Sequence, residues 1–351
     1  MEKFKLVYPT IEYEAKAFDY IKEFKEYNSQ INGVGGLDRY SNYNDWLVKI
    51  DNDSNDSRKE PPRVQATTFF FVREEDDTII GMINIRHYLN NYLLKEGGNI
   101  GYSIRPLERN KGYAKKMLLM ALDFCKSLKI DRVLLTCDKN NIPSKKTIIS
   151  CGGVFENEIY DGSYAEIVER YWIYLFKEVN NKKYEIIKLL GHGKSGYSYL
   201  AKYENNFVVL KQIHHEPCSY YSFSDKIKSE VNDYQHLISL NIKLPKMLEV
   251  DTKKECIIKE YIEGKTIFEL VKEDKMESIY INKVKEMTKV LYQNNTNIDY
   301  FPTNFIVQES DKELFYIDYE CNEYMEKWNF ENWGIKYWSK TKEFMDYINK
   351  K

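Results

Sequence analysis

No stretch of this chain approaches the roughly 20 consecutive apolar residues that cross a bilayer. A membrane partner is therefore not expected. The first 18 residues are broken by charge and hold no apolar core, so a secretory leader is not expected either. Basic excess is missing: 52 Lys and Arg stand against 54 Asp and Glu, a formal charge of -2. Without a global positive field, nucleic acid is not expected as the main partner. The six cysteines form no C-x-x-C pair and no small-domain disulfide framework, which reads as reduced thiols in a cytoplasmic protein. Histidine is scarce, with five residues. The His214-His215 pair has no further ligand at metal spacing along the chain, so a zinc site is not expected. Hydrophobic residues make up 43% of 351, enough for two ordinary cores.

The most informative stretch is 100–117, IGYSIRPLERNKGYAKKM. Ile100, Tyr102 and Ile104 alternate with smaller or polar residues as in a strand, and Pro106 stops the pairing. Arg109, Asn110, Lys111, Gly112, Tyr113 and Ala114 then lead into a run with Met117, Leu118 and Ala121 at helical spacing. A strand, a tight turn with small residues and a helix start make an anion site. The first helical amides lack internal partners, and the helix dipole adds partial positive charge. Gly112 and Ala114 permit close approach of a phosphate. Strands are expected over 66–73, 78–86 and 132–137. A helix is expected over 12–27 and a second one opening at Asn141 and Ser144, while 51–62 reads as a polar loop.

This segment resembles motif A (R-x-x-G-x-G/A) of the GNAT superfamily of acetyl-CoA-dependent acetyltransferases, and the order of strands and helices over residues 1–176 fits that fold. The resemblance implies a mixed sheet flanked by helices, with acetyl-CoA as cofactor. The acceptor would be a primary amine on a small molecule or a protein. It implies that main-chain amides of Tyr102, Ser103 and Ile104 polarise the thioester, that residues 109–114 hold the pyrophosphate, and that Asn141 and Ser144 meet the pantetheine arm. Many members carry a tyrosine acid seven residues after that asparagine, where this chain has Ile148. Tyr102, Glu158 and Tyr160 are candidate substitutes, and His87 is a candidate base. Tyr40, Tyr43 and Trp46 are candidates for the acceptor wall, with core packing as their other reading.

Residues 177–183 read as a polar linker to a second domain, 184–351. There Gly191, Gly193 and Gly196 lie between two strand-like runs, which excludes a dinucleotide turn that needs a following helix. Lys211 lies mid-strand in VVLKQI, Glu230 lies in a helical run, and Lys259 to Gly264 reads as a hinge. Asp299 and Asn304 fit D-x-x-x-x-N, and Asp318 ends an apolar run. Together these resemble small kinases of the aminoglycoside-phosphotransferase and Bud-kinase kind. That resemblance implies a compact two-lobed α/β domain binding ATP or GTP. The hairpin of Gly191, Gly193 and Gly196 would lie over the phosphates, Lys211, paired with Glu230, would hold them, Asn304 and Asp318 would hold Mg2+, and Asp299 would orient the hydroxyl acceptor. The departures are Asn297 in place of the usual histidine and a missing A-P-E segment. Two alternatives to an acetyltransferase with a nucleotide-binding partner domain stay open. One is a bifunctional acetyl- and phosphotransferase acting on one compound class such as an antibiotic. The other is an inactive binding module in the second half.

Overall fold

The computed structural model describes residues 2–55, 63–161, 166–216 and 225–349. It divides into two units, residues 1–177 and 178–351.

In the first unit, in chain order, come β1 (Phe4–Val7), α1 (Glu14–Glu26), α2 (Tyr43–Asn55), β2 (Ala66–Arg73) and β3 (Thr78–Arg86). After them come β4 (Ile100–Ile104), α3 (Tyr113–Ser127), β5 (Arg132–Asp138), α4 (Ile142–Ser150), β6 (Val154–Asp161) and β7 (Glu166–Tyr174). The order β1-β2-β3-β4 forms one antiparallel sheet, and β5-β7-β6 forms another. β2 is buried along nearly its whole length because both of its faces are covered. Strand alternation sends Phe69 and Phe71 into the core under α3, and Phe70 and Val72 into the core under α1 and α2. The polar loop expected over 51–62 is not found over its first five residues. Residues 51–55 complete α2, whose Ile50 and Trp46 anchor it, and 56–62 lie outside the described residues.

Asn99 decides how the two sheets meet. It is 2% exposed. Its main-chain N–H donates to Leu134 O at 2.7 Å, and its Oδ1 accepts the Leu134 N–H at 2.8 Å. Its Nδ2 donates to Arg86 O at 3.1 Å, and its carbonyl accepts the Arg86 N–H at 2.8 Å. One side chain thus completes the bonding of β3 and β5 at the start of β4. Beyond that point β4 and β5 belong to separate ladders. Each is then an edge facing a gap.

In the second unit, β8 (Phe176–Val179), β9 (Lys182–His192), β10 (Gly196–Tyr203) and β11 (Asn206–Ile213) precede α5 (Lys226–Ser239). β12 (Met247–Asp251) and β13 (Cys256–Glu260) complete a six-stranded sheet of order β12-β13-β11-β10-β9-β8. The stretch 177–183 is therefore no linker. Asn180 and Asn181, both at positive φ, make the two-residue turn of a β-hairpin. Next come β14 (Gly264–Thr266), α6 (Ile267–Lys272), α7 (Ser278–Gln293), β15 (Thr296–Ile298), β16 (Phe305–Gln308), β17 (Leu314–Tyr316), β18 (Cys321–Glu323) and α8 (Lys342–Asn349). Phe330, Trp338 and Phe344 of the aromatic tail are fully buried with Tyr280, Leu291 and Phe305, so they close this core. Trp328 stays exposed.

Replacing Asn99 by leucine leaves the Leu134 N–H and Arg86 carbonyl without their side-chain partners. It should destabilise the first unit by about 2–4 kcal/mol, read from urea unfolding of the full chain. A change below 1 kcal/mol would remove Asn99 from its structural role.

Candidate functional site

β4 sets the geometry of the first site. The Arg105 N–H donates to Ile80 O on β3. By alternation, the N–H groups of Tyr102 and Ile104 point to the opposite edge, toward the gap. The Ile104 carbonyl on that edge accepts Arg109 Nε at 3.1 Å. Ser103 is already engaged: its Oγ donates to Asn32 O at 2.5 Å, and its carbonyl accepts the Tyr20 hydroxyl at 2.9 Å. Gly33, at φ +76°, runs against this face of β4, where any side chain would collide with the Gly101 carbonyl.

The turn into α3 is open. Gly112 is the N-cap residue at φ +78° and no side chain caps the helix. A Cβ on Gly112 would meet nothing within 4 Å, so glycine is required here for its backbone angle, not for crowding. Asn110 is also at positive φ. The side chains nearby look elsewhere. Arg109 bonds Ser29 Oγ and lies over the Phe24 ring, Lys111 pairs with Glu108 at 2.7 Å, and the Tyr113 hydroxyl donates to Glu2 at 2.6 Å. The amides of the first turn, including Tyr113 and Ala114, therefore have no side-chain acceptor at the cap. That chemistry suits a pyrophosphate.

Across the gap, the Tyr102 hydroxyl lies 3.1 Å from Ser144 Oγ in the first turn of α4. Burial pushes the Tyr102 phenol up to about 12, with the Ser144 bond pulling the other way. It stays a proton donor at neutral pH. Asn141 caps α4, its Oδ1 accepting the Ser144 N–H at 3.2 Å. Ile148 is fully buried among the core residues. A further polar group lies on β7, which sequence reasoning missed. Glu169, 2% exposed, accepts Lys145 Nζ at 2.7 Å and the Tyr171 hydroxyl at 2.5 Å. Burial pushes its carboxyl up, but these two donors outweigh that and hold it below the usual range. Nothing in its local sequence separates it from the exposed glutamates of the same hairpin; only the β5-β7 register buries it.

Three candidates do not join this group. His87 is half-buried, its Nε2 2.8 Å from Thr67 Oγ1 and its ring against Phe124 in the last turns of α3. Burial lowers its pKa. Glu158 lies on β6, the outer strand of its sheet, and pairs with Lys139 at 2.8 Å. Tyr160 is exposed on that same strand. Of the proposed acceptor wall, Tyr43 and Trp46 are core residues, bonded to the Thr10 and Gly35 carbonyls, because α2 turns its apolar stripe inward.

The second unit gathers a different set. Lys211, in mid-β11, pairs with Glu230 of α5 and with Asp318 at 3.5 Å. Burial alone would lower its pKa, but the two carboxylates raise it. Asp318 is pushed up by burial and pulled further down by Lys211 and Lys259, a net decrease. It lies beyond β17, which ends at Tyr316, so the strand expected to carry it stops two residues short. The Asn304 carbonyl accepts the Ile317 N–H at 2.9 Å and its Nδ2 donates to the Asp299 carbonyl at 3.3 Å, which ties Asp299 and Asn304 to the residue before Asp318. Burial raises the pKa of Asp299. Glu230 Oε2 is buried with no hydrogen-bond partner among the described residues. The glycine stretch is a hairpin tip: the Gly193 N–H donates to Gly196 O at 2.9 Å, and Gly191 and Gly193 stand clear of neighbouring side chains.

Lys259 was not singled out as an ionic residue in the sequence. It is 4% exposed, its Nζ 3.6 Å above the Tyr319 ring and 3.4 Å from Ile317 O. Burial, with Lys211 beside it, lowers its pKa to about 8.

Against known proteins, residues 31–154 match the family model described as an acetyltransferase (GNAT) domain. The uncharacterized N-acetyltransferase YnaD of Bacillus subtilis (strain 168) is 29% identical over 118 residues, covering 30% of this chain and 67% of that protein. The solved ribosomal-protein-S5-alanine acetyltransferase of Vibrio fischeri is 14% identical and covers 50% of this chain and 94% of its own, at a TM-score of 0.39. The microcin C7 self-immunity acetyltransferase MccE, solved with acetyl-CoA and AMP, is 17% identical over 49% of this chain and 92% of its own, at a TM-score of 0.37.

The pKa of Lys259 sets a pH test. Below pH 8 the lysine is charged in both folded and unfolded chains, and its burial costs stability in full. Between about 8 and 10.4 the unfolded chain holds the proton more tightly, so this cost is relieved as pH rises. Lys259→Met should stabilise the second unit at pH 7, on the order of 1–2 kcal/mol. The gain should shrink toward pH 10 in thermal unfolding followed across that range; a gain independent of pH would contradict the assignment.

Proposed function

We propose that the first unit, in which residues 31–154 match an acetyltransferase (GNAT) domain, moves the acetyl group of acetyl-CoA to a primary amine of a small molecule or protein. The observation that carries this reading is the uncapped start of α3 beside the open edge of β4. When bound, acetyl-CoA supplies an activated acetyl thioester. The α3 amides from Tyr113 onward would hold its pyrophosphate, and the Asn141 and Ser144 turn its pantetheine arm. The Tyr102 and Ile104 N–H groups would donate to the thioester carbonyl oxygen, where negative charge builds during attack. The Tyr102 hydroxyl, kept protonated by burial and seated on Ser144 Oγ, would give its proton to the departing sulfur. Ile148, sealed in the core, leaves that role to Tyr102.

A screen of amine acceptors with detection of released CoA thiol tests this. Tyr102→Phe should lower kcat roughly 100-fold, with KM for acetyl-CoA little changed. Gly112→Val, strained at its positive φ, should lose the rise in Tm that acetyl-CoA gives the wild-type chain. Equal stabilisation of both chains would overturn the phosphate site.

The second unit supports a second reading, a kinase-like domain that binds ATP or GTP with Mg2+. Lys211 between Glu230 and Asp318 favours it, with the partnerless Glu230 oxygen beside them. Lys211 would meet phosphate oxygens, Asn304 and Asp318 would hold the metal, and Asp299 would orient a hydroxyl. The catalytically inactive binding module is the competing account. Mg2+ with ATP or GTP should raise the Tm of the full chain, and Asp318→Asn should abolish the Mg2+-dependent part. No shift with either nucleotide would favour the binding module.

A further inference from the structure

At the tip of the β9–β10 hairpin the fold gathers three side chains of metal-ligating type. His192 ends β9, while His214 and Glu216 follow the end of β11. One donor atom from each lies within 4.8 Å of the other two. His192 Nε2 is 3.2 Å from Glu216 Oε2. Two donors about 2.1 Å from one tetrahedral ion are about 3.4 Å apart, so this pair already has the spacing of neighbouring ligands.

The surrounding bonds fix which atoms face the gap. His214 Nε2 is 2.9 Å from the Gly193 carbonyl oxygen. A carbonyl only accepts, so this nitrogen carries the proton and the lone pair is on Nδ1. Nδ1 now accepts the Glu216 main-chain N–H at 3.2 Å. An imidazole whose far N–H is held by a main-chain carbonyl is oriented as metal-bound imidazoles are. The His192 ring is stacked on Tyr197, with centroids 4.2 Å apart and planes 6° from parallel. The Tyr197 hydroxyl donates to Glu216 Oε1 at 2.5 Å, which turns Oε2 toward His192.

We infer that His192 Nε2, His214 Nδ1 and Glu216 Oε2 form a site for a divalent transition-metal ion of the zinc class, with water as the fourth ligand. Two imidazoles and one carboxylate suit that class. The ion replaces the hydrogen bond between His192 and Glu216 and displaces the Glu216 N–H from His214. It ties the hairpin tip bearing Gly193 to the exit of β11. The neighbouring His215 is turned to Glu255, 2.8 Å away, and takes no part. The pair His214-His215 looked ligand-poor because one partner, His192, comes from 22 residues upstream across the hairpin, and the other, Glu216, is a single carboxylate two residues on. This site stands apart from the nucleotide reading and needs no nucleotide.

Co2+ and Zn2+ titrations of the chelator-stripped full chain test it. Co2+ should give the strong visible ligand-field absorption of a four-coordinate ion, and Zn2+ should compete it away. His192→Ala and the isosteric Glu216→Gln should each remove the band, while His215→Ala keeps it. Tyr197→Phe should weaken Zn2+ binding about tenfold. Circular dichroism of each variant separates loss of the site from loss of the fold, and Glu216→Gln keeps an acceptor for Tyr197 if His192→Ala does not fold. Absence of the band in the wild type, or its survival in folded Glu216→Gln, would overturn the site.

Discussion

Two edge strands held together at one end and parted along the rest are what the first unit is built on. Asn99 supplies main-chain-like bonds to both β3 and β5 at the start of β4. Past it, β4 and β5 show unpaired edges to each other. Unpaired edges are normally a liability that proteins cover. Here the N–H groups of Tyr102 and Ile104 lie on such an edge, so the same parting that breaks the sheet leaves main-chain donors unused by it. The segment around Gly33 packs on one face of β4, and Tyr102 bridges to Ser144 on the other.

Burial does opposite work on the ionisable groups of the two units. In the first it keeps the Tyr102 phenol protonated, a state that a proton donor needs. In the second it draws two lysines and two carboxylates into one cluster whose charges hold each other. Lys211 gains from Glu230 and Asp318, whereas Lys259 sits close to Lys211 and loses. The cluster is balanced in formal charge, two cations against two anions, yet Glu230 keeps one buried oxygen without a partner among the described residues. A buried polar atom left so is costly unless something else meets it.

Much of the candidate chemistry was legible because it is local. The turn from β4 into α3 is written in consecutive residues, and so are the Asn141 cap and the Lys211 strand. Other positions were decided by distant contacts. Glu169 and Lys259 look like ordinary surface charges until strand register buries them. Tyr43 and Trp46 take the core-packing reading that their helical spacing offered, because α2 turns its apolar stripe inward. His87 had the right pKa range for a base but was placed against the wrong end of α3. Asn99, one of many asparagines, carried no local mark of its role at all.

The sequence by itself determined the order of strands and helices in the first unit, the glycine turn at the helix start and the spacing of the charged residues in the second. These depend on side-chain alternation and on backbone angles within a few residues of one another. Tertiary structure alone decided that residues 177–183 pair as strands instead of linking. It also decided that Asn99 joins β3 to β5 at the start of β4, and that His192 meets His214 and Glu216 across a hairpin. Each of these is a contact between segments distant in the chain, and its energy comes from hydrogen bonds and burial that no single segment contains.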